Sequence, residues 1–311
     1  MRVLQLITST RSFFEQQVEA LEAQGVDCTV VSVPAEYSPD SPRTVRDYLR
    51  YYPEVLAEGL DSYDLVHANY GLTVPFALAQ PTRPLVLTLW GTDIMGEYGW
   101  LRHISKMGAR AADETVLPSR AMASHLGENY THLPFGVDTD RFRPIDRTEA
   151  RERIGWDEGE KVALFPYEKS RDEKDYPRAQ AVVDAADTDV TLRTISNVPY
   201  EEMPYYMNAS DALLVTSQRE SGPMVVKEAA ACGLPVVSTD VGFVRDEFGD
   251  APGVAVGRTN DELASGLDRL VAEVDSLSDR ERRRSVSPDV SVDRMGERLA
   301  SLYECVAQGA A

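Results

Sequence analysis

The chain has 311 residues, with 51 Asp plus Glu against 32 Lys plus Arg and a formal net charge of −19. That balance excludes a general nucleic-acid binder, which needs a basic face. At 43% hydrophobic residues, with 20 Gly and 18 Pro, the composition also excludes a disordered or fibrous chain, and the length accommodates roughly two domains of about 150 residues each.

Short runs of Val, Ile and Leu alternate with segments of helical period throughout, the pattern of β-α units feeding parallel sheets. Residues 3–7 predict a first strand, and Phe14, Val18 and Leu21 mark the apolar stripe of a helix that Gly25 stops. Further strands are expected over 28–33, 65–68, 85–89, 114–117 and 131–133, with helices over 45–60 and 121–126. A polar stretch over 138–160, holding Pro144 and a short amphipathic piece at 148–154, interrupts the rhythm. A second series follows, with strands over 162–165, 190–195, 212–215, 236–238 and 254–256. The chain closes with a helix over 292–307 whose Met295, Leu299, Leu302 and Val306 share a face.

The fold class is therefore α/β, with two Rossmann-like, doubly wound domains. Residues 1–145 form the first, 146–290 the second, and 291–311 a terminal helix. Open α/β sheets bind ligands beyond the carboxyl ends of their strands, so a cleft faced by both domains is the expected place for a site. Neither the dinucleotide fingerprint G-x-G-x-x-G nor the P-loop occurs, which removes the main support for a dehydrogenase or a P-loop NTPase.

Cys28, Cys232 and Cys305 are odd in number and far apart, and read as buried hydrophobes in a reducing cytoplasm. The apolar run of the first seven residues is too short for a signal peptide, and no stretch approaches the roughly 18 apolar residues of a spanning helix. The expected location is cytoplasmic, with room for peripheral contact at the inner membrane face. The basic residues are 27 Arg and only 5 Lys. Excess carboxylate with Lys depleted suits solubility in concentrated salt, so a halophilic source is expected.

The most informative stretch is 211–242, DALLVTSQRESGPMVVKEAAACGLPVVSTDVG. A strand meets a polar turn, then Glu220, then Ser221-Gly222-Pro223, then a helix bearing Glu228. Free N–H groups at a helix start suit a phosphate or a sugar oxygen. Carboxylates beside it can each accept a pair of adjacent hydroxyls, as a ribose or a hexose presents. In VALFPYEKSRDEKDY, residues 162–176, a strand ends in a loop holding Lys169, Arg171 and Lys174. Cations there suit a leaving diphosphate, where charge develops as a glycosyl bond breaks.

Glu220-x7-Glu228 with its flank A-x-A-C-G-L-P-V-V-S-T-D-V-G closely resembles the donor-binding segment of glycosyltransferase family 4, retaining nucleotide-sugar-dependent transferases of the GT-B fold. The resemblance implies that Glu220 binds hydroxyls of the donor sugar and Glu228 those of the ribose, with the backbone at Gly222 and Met224 facing sugar and phosphate. The family's commonest form has Gly-Phe-Gly in this turn; here Pro223 offers no N–H, although Pro is well tolerated in a first helical turn. Residues 162–176 resemble the family's diphosphate segment: Lys174 aligns, and the accompanying Arg is Arg171 or is replaced by Lys169, with Arg171 favoured for its fork. Val198, in the turn after the strand at 190–195, is implied as a backbone contact to the base.

In the first domain, Thr88-Leu89-Trp90-Gly91-Thr92-Asp93 resembles a family strand end that has His at the position of Trp90. Asp93 would face the cleft near acceptor or sugar; capping the next helix is the other use of an Asp there. His67 matches a family position but reads as structural. Ser9 lies in the turn where the family approaches the diphosphate with a Gly-rich loop, absent here. Residues 134–138 with Phe142 resemble the family's connector between domains. The triplets Asp138-Thr139-Asp140 and Asp187-Thr188-Asp189 read as chance in so acidic a chain and not as metal ligands, and Arg280 to Arg284 as a solvated helix face.

The resemblance thus implies a retaining glycosyltransferase that takes a UDP- or GDP-sugar in its second domain and a glycan, polysaccharide or lipid-linked acceptor in its first. No metal or other cofactor and no nucleic-acid partner is expected. Glu220, Lys174, Arg171 and Asp93 are the catalytic candidates; Glu228, Gly222, Pro223, Met224, Val198, Lys169 and Ser9 are the donor-binding ones. A nucleotide-sugar epimerase and a non-catalytic subunit binding a partner or glycan are the alternatives.

Overall fold

The computed structural model describes residues 1–34, 43–272, 276–286 and 290–309. The chain separates into two compact units, one formed by Met1–Gly136 with Val292–Ala311 and the other by Val137–Ser291. In order, the first unit holds β1 (Arg2–Ile7), α1 (Ser12–Ala23), β2 (Asp27–Ser32), α2 (Val45–Glu58), β3 (Leu65–Asn69), α3 (Val74–Ala79), β4 (Leu85–Thr88), α4 (Thr92–Met95), α5 (Gly99–Ala111), β5 (Glu114–Leu117), α6 (Ala123–Leu126) and β6 (Thr131–His132). The second holds α7 (Arg147–Ile154), β7 (Val162–Phe165), α8 (Tyr176–Asp184), β8 (Thr191–Thr194), α9 (Met203–Ala209), β9 (Ala212–Val215), α10 (Met224–Ala231), β10 (Val236–Thr239), α11 (Val244–Phe248), β11 (Val254–Gly257), α12 (Asn260–Ala272) and α13 (Leu277–Val286). The final helix, α14 (Val292–Gly309), is part of the first unit.

Each unit is a parallel sheet, ordered β2-β1-β3-β4-β5-β6 in the first and β11-β10-β9-β7-β8 in the second. Alternation along the strands explains how one sheet serves two cores. Leu4, Val66, Leu87 and Leu117 point to the face covered by α2, α3 and α5. Val3, Leu65, Val86 and Val116 point to the opposite face, where Leu21 of α1 and Met295, Leu299 and Tyr303 of α14 pack. The strand order reverses between β1 and β3 in the first unit and between β7 and β9 in the second, so loops leaving these strands diverge and open a crevice at their carboxyl ends.

The first unit ends at 136, earlier than the expected 145. Val137 N–H donates to Val290 O (2.8 Å) and Val137 bridges Ser291. Phe142 is fully buried in the second core, against a cluster holding Leu164 and Val215. The connector therefore packs as part of the second unit.

The Arg280 to Arg284 run also differs from expectation. Arg280 is buried and donates to Ser210 O (2.7 Å) and Met207 O (3.4 Å), Arg283 to Gly233 O (2.7 Å), and Arg284 to Thr139 O (2.7 Å). The carbonyls at the ends of α9 and α10 carry the negative end of the helix dipole. Guanidinium forks satisfy several at once, and only Arg282, paired with Asp279 at 2.7 Å, keeps a largely exposed side chain in this set.

Candidate active site

A cluster of charged side chains lies where the second sheet reverses direction, between β7 and β9. Beyond β7 the chain turns back so that Lys174 is buried, its ammonium 4.2 Å from the centre of the Tyr167 ring. Asp175 follows at φ +55, a left-handed conformation that a short polar side chain tolerates. Two contacts hold it there. Its carboxylate accepts Arg178 N–H (3.2 Å) to cap α8, and Thr216 Oγ1 donates towards Lys174 O (3.0 Å) and Asp175 O (3.1 Å).

From β9, Ser217 and Glu220 approach the same point. Lys174 Nζ is ion-paired with Glu220 Oε1, and the Ser217 hydroxyl donates to that oxygen (2.9 Å). Ser217 is itself fixed by Thr239 Oγ1, which donates to its carbonyl (2.8 Å). The turn Ser221 to Pro223 then enters α10, with Pro223 in an extended conformation just outside the helix. The first N–H groups of α10 have no helical acceptor ahead of them. Gly242, at φ +57, lies close against this turn: a Cβ there would stand 3.1 Å from Pro223 Cδ and 3.2 Å from Ser221 O.

Glu228, one turn into α10, is buried, and burial raises its carboxyl pKa to about 7; the Tyr200 hydroxyl donates to Oε1 (3.2 Å) and works against the rise. Tyr167 lies within electrostatic range of both Glu220 and Glu228, its buried hydroxyl beside Ser217. On the far side of α10 the buried Lys227 stacks 4.6 Å over the Phe243 ring and lies 4.0 Å from Glu247. Desolvation lowers its pKa to about 8.

Lys174 and Glu220 are thus paired, and Glu228 lies within electrostatic range of the Tyr167 ring beneath that ammonium, with Gly222, Pro223 and Met224 forming the turn between the two carboxylates. Arg171 and Lys169 do not join the cluster in this state. Arg171 is half-exposed and donates twice to Glu173 Oε1 (2.8 and 2.6 Å), while Lys169 lies over the Tyr176 ring at 4.4 Å. Val198 follows Asn197, at φ +57, and packs against the second core. Its neighbour Tyr200 reaches Glu228 instead. Tyr167, Ser217, Tyr200 and Gly242 are site residues that the sequence reading missed. The Tyr and Ser residues carry no local signal, whereas Gly242 lies inside the recognised block.

In the first unit, Asp93 corrects an expectation. It is 1% exposed, and its carboxylate accepts N–H from Gly71 (2.9 Å), Trp90 (3.0 Å) and Gly91 (2.9 Å). It clasps the loops after β3 and β4 together and does not offer a carboxylate to a ligand. Burial pushes its pKa up to about 6 against the pull of those amides. Ser9 is half-buried in the turn after β1. Beyond it Phe13 meets Trp90 edge-on at 4.8 Å and Phe135 at 4.9 Å, so Trp90 belongs to an aromatic cluster. His67 is fully buried between Tyr303 OH (2.5 Å) and Thr88 Oγ1 (2.7 Å), its pKa lowered to about 3 by desolvation.

Residues 5–134 match the family model described as a glycosyl transferase 4-like domain, and residues 172–285 match that of the glycosyl transferases group 1. The chain is 29% identical over 256 residues to a D-inositol 3-phosphate glycosyltransferase of Geodermatophilus obscurus, covering 69% of this chain and 56% of that protein. It is 29% identical over 220 residues to the putative teichuronic acid biosynthesis glycosyltransferase TuaC of Bacillus subtilis, covering 60% and 55%. The chain therefore spans about half the length of these curated relatives. Among solved structures, a sucrose-phosphate synthase from Thermosynechococcus elongatus superposes with a TM-score of 0.77 at 16% identity, over 100% of both chains. HepE of Anabaena in complex with UDP and glucose superposes with a TM-score of 0.72 at 16% identity, over 98% of this chain and 99% of that one.

Proposed function

We propose, for this member of the GT-B glycosyltransferases, a transfer of a sugar from a UDP- or GDP-linked donor held by the second unit to a glycan or lipid-linked acceptor held by the first. The observation that carries the reading is the Lys174–Glu220 ion pair where the second sheet reverses direction, beside the start of α10, with Glu228 within electrostatic range of the same Tyr167. A buried ammonium can follow a leaving diphosphate only if its resting partner has another use. Glu220 has one, since its carboxylate is free to turn to donor hydroxyls once phosphate oxygens take over the ammonium. Glu228 suits the ribose: its two oxygens can accept both hydroxyls of a 2′,3′-diol, and those bonds favour the charged form. That UDP occupies HepE, a protein of the same fold, supports this choice of ligand class.

Chemistry follows from the same arrangement. The glycosyl bond to the β-phosphate breaks as the acceptor oxygen attacks on the same face, with retention of configuration. The departing phosphate oxygen takes the acceptor's proton, and the Lys174 ammonium balances the charge left on the diphosphate. Turnover is expected to continue in a chelator. No helix among the described residues is long and apolar enough to cross a membrane. Calorimetry against a panel of UDP- and GDP-sugars provides the test. The wild type is expected to bind at least one, and Lys174→Ala and Glu228→Ala to lose about tenfold or more in affinity, equivalent to about 1.4 kcal/mol. Equal affinities in all three proteins would refute the assignment.

A further inference from the structure

We propose that Tyr167 is a positioning residue: its ring holds the Lys174 ammonium in place while that ammonium exchanges Glu220 for the diphosphate of the donor. The inference rests on the donor reading above and supplies the group that makes such an exchange workable. Lysine carries its charge on a flexible four-carbon stem. The backbone of Lys174 is well fixed, since its N–H donates to Arg171 O (2.9 Å) and its carbonyl accepts from Thr216 Oγ1 (3.0 Å). Neither bond reaches the ammonium. Glu220 is paired with it in the resting state, but a carboxylate that turns to sugar hydroxyls no longer restrains it. The Tyr167 ring, its centre 4.2 Å from Nζ, stays where it is.

The local sequence builds that ring into place. The strand β7 ends at Phe165, and the Tyr167 N–H donates back to Phe165 O (2.9 Å) across Pro166, whose own ring fixes φ. This three-residue turn leaves Tyr167 edge-on to Phe165 with 5.2 Å between centroids, in the cluster that also holds Ala179 and Val182 of α8. Tyr167 and Lys174 are both buried. Attraction between a cation and a ring face is strongest in such a place, where water does not compete for the ammonium.

A neutral floor also suits the chemistry better than an acidic one. A second carboxylate beneath Nζ would compensate its charge and compete with phosphate. The ring attracts the cation through its quadrupole and leaves the full charge for the diphosphate. Burial first, and then Glu220 and Glu228, raise the Tyr167 hydroxyl well above its ordinary pKa against the pull of Arg171, so the floor stays uncharged.

The chain has only five lysines, which makes the test direct. Proton–carbon spectra of the full chain labelled at the lysine ε-carbons resolve them, and Lys174→Arg assigns the signal of Lys174. Its ε-protons are expected upfield of the ordinary lysine position, shifted by the ring current, both in the free protein and with saturating UDP or GDP. Tyr167→Leu should return them to the ordinary position and weaken UDP or GDP binding about tenfold, with uridine or guanosine affinity unchanged. Lys169 and Lys227 stand over other rings, those of Tyr176 and Phe243, so their signals should not move. Tyr167→Phe keeps the ring and should behave as the wild type. An unshifted Lys174 signal in the wild type overturns the proposal without any variant, as does a signal that leaves the ring when UDP or GDP binds. Equal losses of nucleoside and nucleoside diphosphate in Tyr167→Leu also overturn it, leaving Tyr167 a structural residue alone. A shifted signal in a wild type that binds neither UDP nor GDP removes the exchange because the donor reading has failed, whereas an unshifted signal beside intact nucleotide binding removes the positioning role alone.

Discussion

A carboxyl group enclosed by protein holds its proton more tightly, and Glu228 shows what that costs a binding site. With its pKa raised from 4.5 to about 7, the native state binds the proton better than the unfolded chain does. The resulting stability is fully present below pH 4.5 and is lost as pH rises through 7, up to about 3 kcal/mol in all. Glu228→Gln, neutral at every pH, should therefore raise the urea midpoint at pH 8 more than at pH 5 while weakening nucleotide-sugar binding at both. Wild-type affinity should rise between pH 6 and 8, and calorimetry at the two values checks it. His67 acts in the opposite direction. Its lowered pKa means that the fold excludes the charged ring, so stability is lost as pH falls from 6.5 towards about 3. Asp93 is a residue whose importance was readable but whose role was not. Asp93→Ala leaves three backbone N–H groups without their acceptor and should cost about 3 kcal/mol by urea denaturation.

At the scale of elements, nearly every strand lies within a residue or two of where its apolar run placed it, because a strand buried on both faces writes a continuous apolar word. The start of α10 was legible for a different reason: its Glu-x7-Glu spacing and following glycines lie in one unbroken stretch. What surrounds that start was not. The loop at Gly242 approaches the turn at Ser221 so closely that Gly242→Val, with a branched side chain at φ +57, must push the turn aside. About a tenfold loss of nucleotide-sugar affinity is expected with the overall fold retained, measured by calorimetry beside circular dichroism. The run from Arg280 to Arg284 reads as a solvated stripe by its composition alone. Its guanidiniums turn inward because the carbonyl ends of α9 and α10 lie beside it, a neighbourhood that no local pattern announces.

Across the whole molecule, the final helix closes the first unit, and two features depend on it. Gly296 lets α14 approach α1 so nearly that a Cβ would stand 2.7 Å from Ala20 Cβ. Tyr303 completes a buried chain in which Gln5 Nε2 donates to its hydroxyl (3.0 Å) and His67 Nδ1 shares the same oxygen. Gly296→Val should destabilise the protein by about 2–3 kcal/mol, read as a lower urea midpoint for the first of two unfolding transitions. The charge of −19 acts on this larger scale as well: if it is an adaptation to concentrated salt, melting temperature should climb steadily with KCl, whereas a maximum below physiological salt would end that reading. Yet some of the excess of Arg over Lys has a structural use, since Arg151, Arg280 and Arg283 satisfy buried carbonyls with forks that Lys lacks. The sequence by itself determined the α/β class, most strand positions and the donor-type segment, because each is encoded by neighbours along the chain. Only the tertiary structure decided that Lys174 meets Glu220 across 46 residues, that Asp93 turns inward, and which helices keep an apolar face towards the solvent. Burial and pairing are properties of residues brought together from distant parts of the chain, and a local pattern carries no record of them.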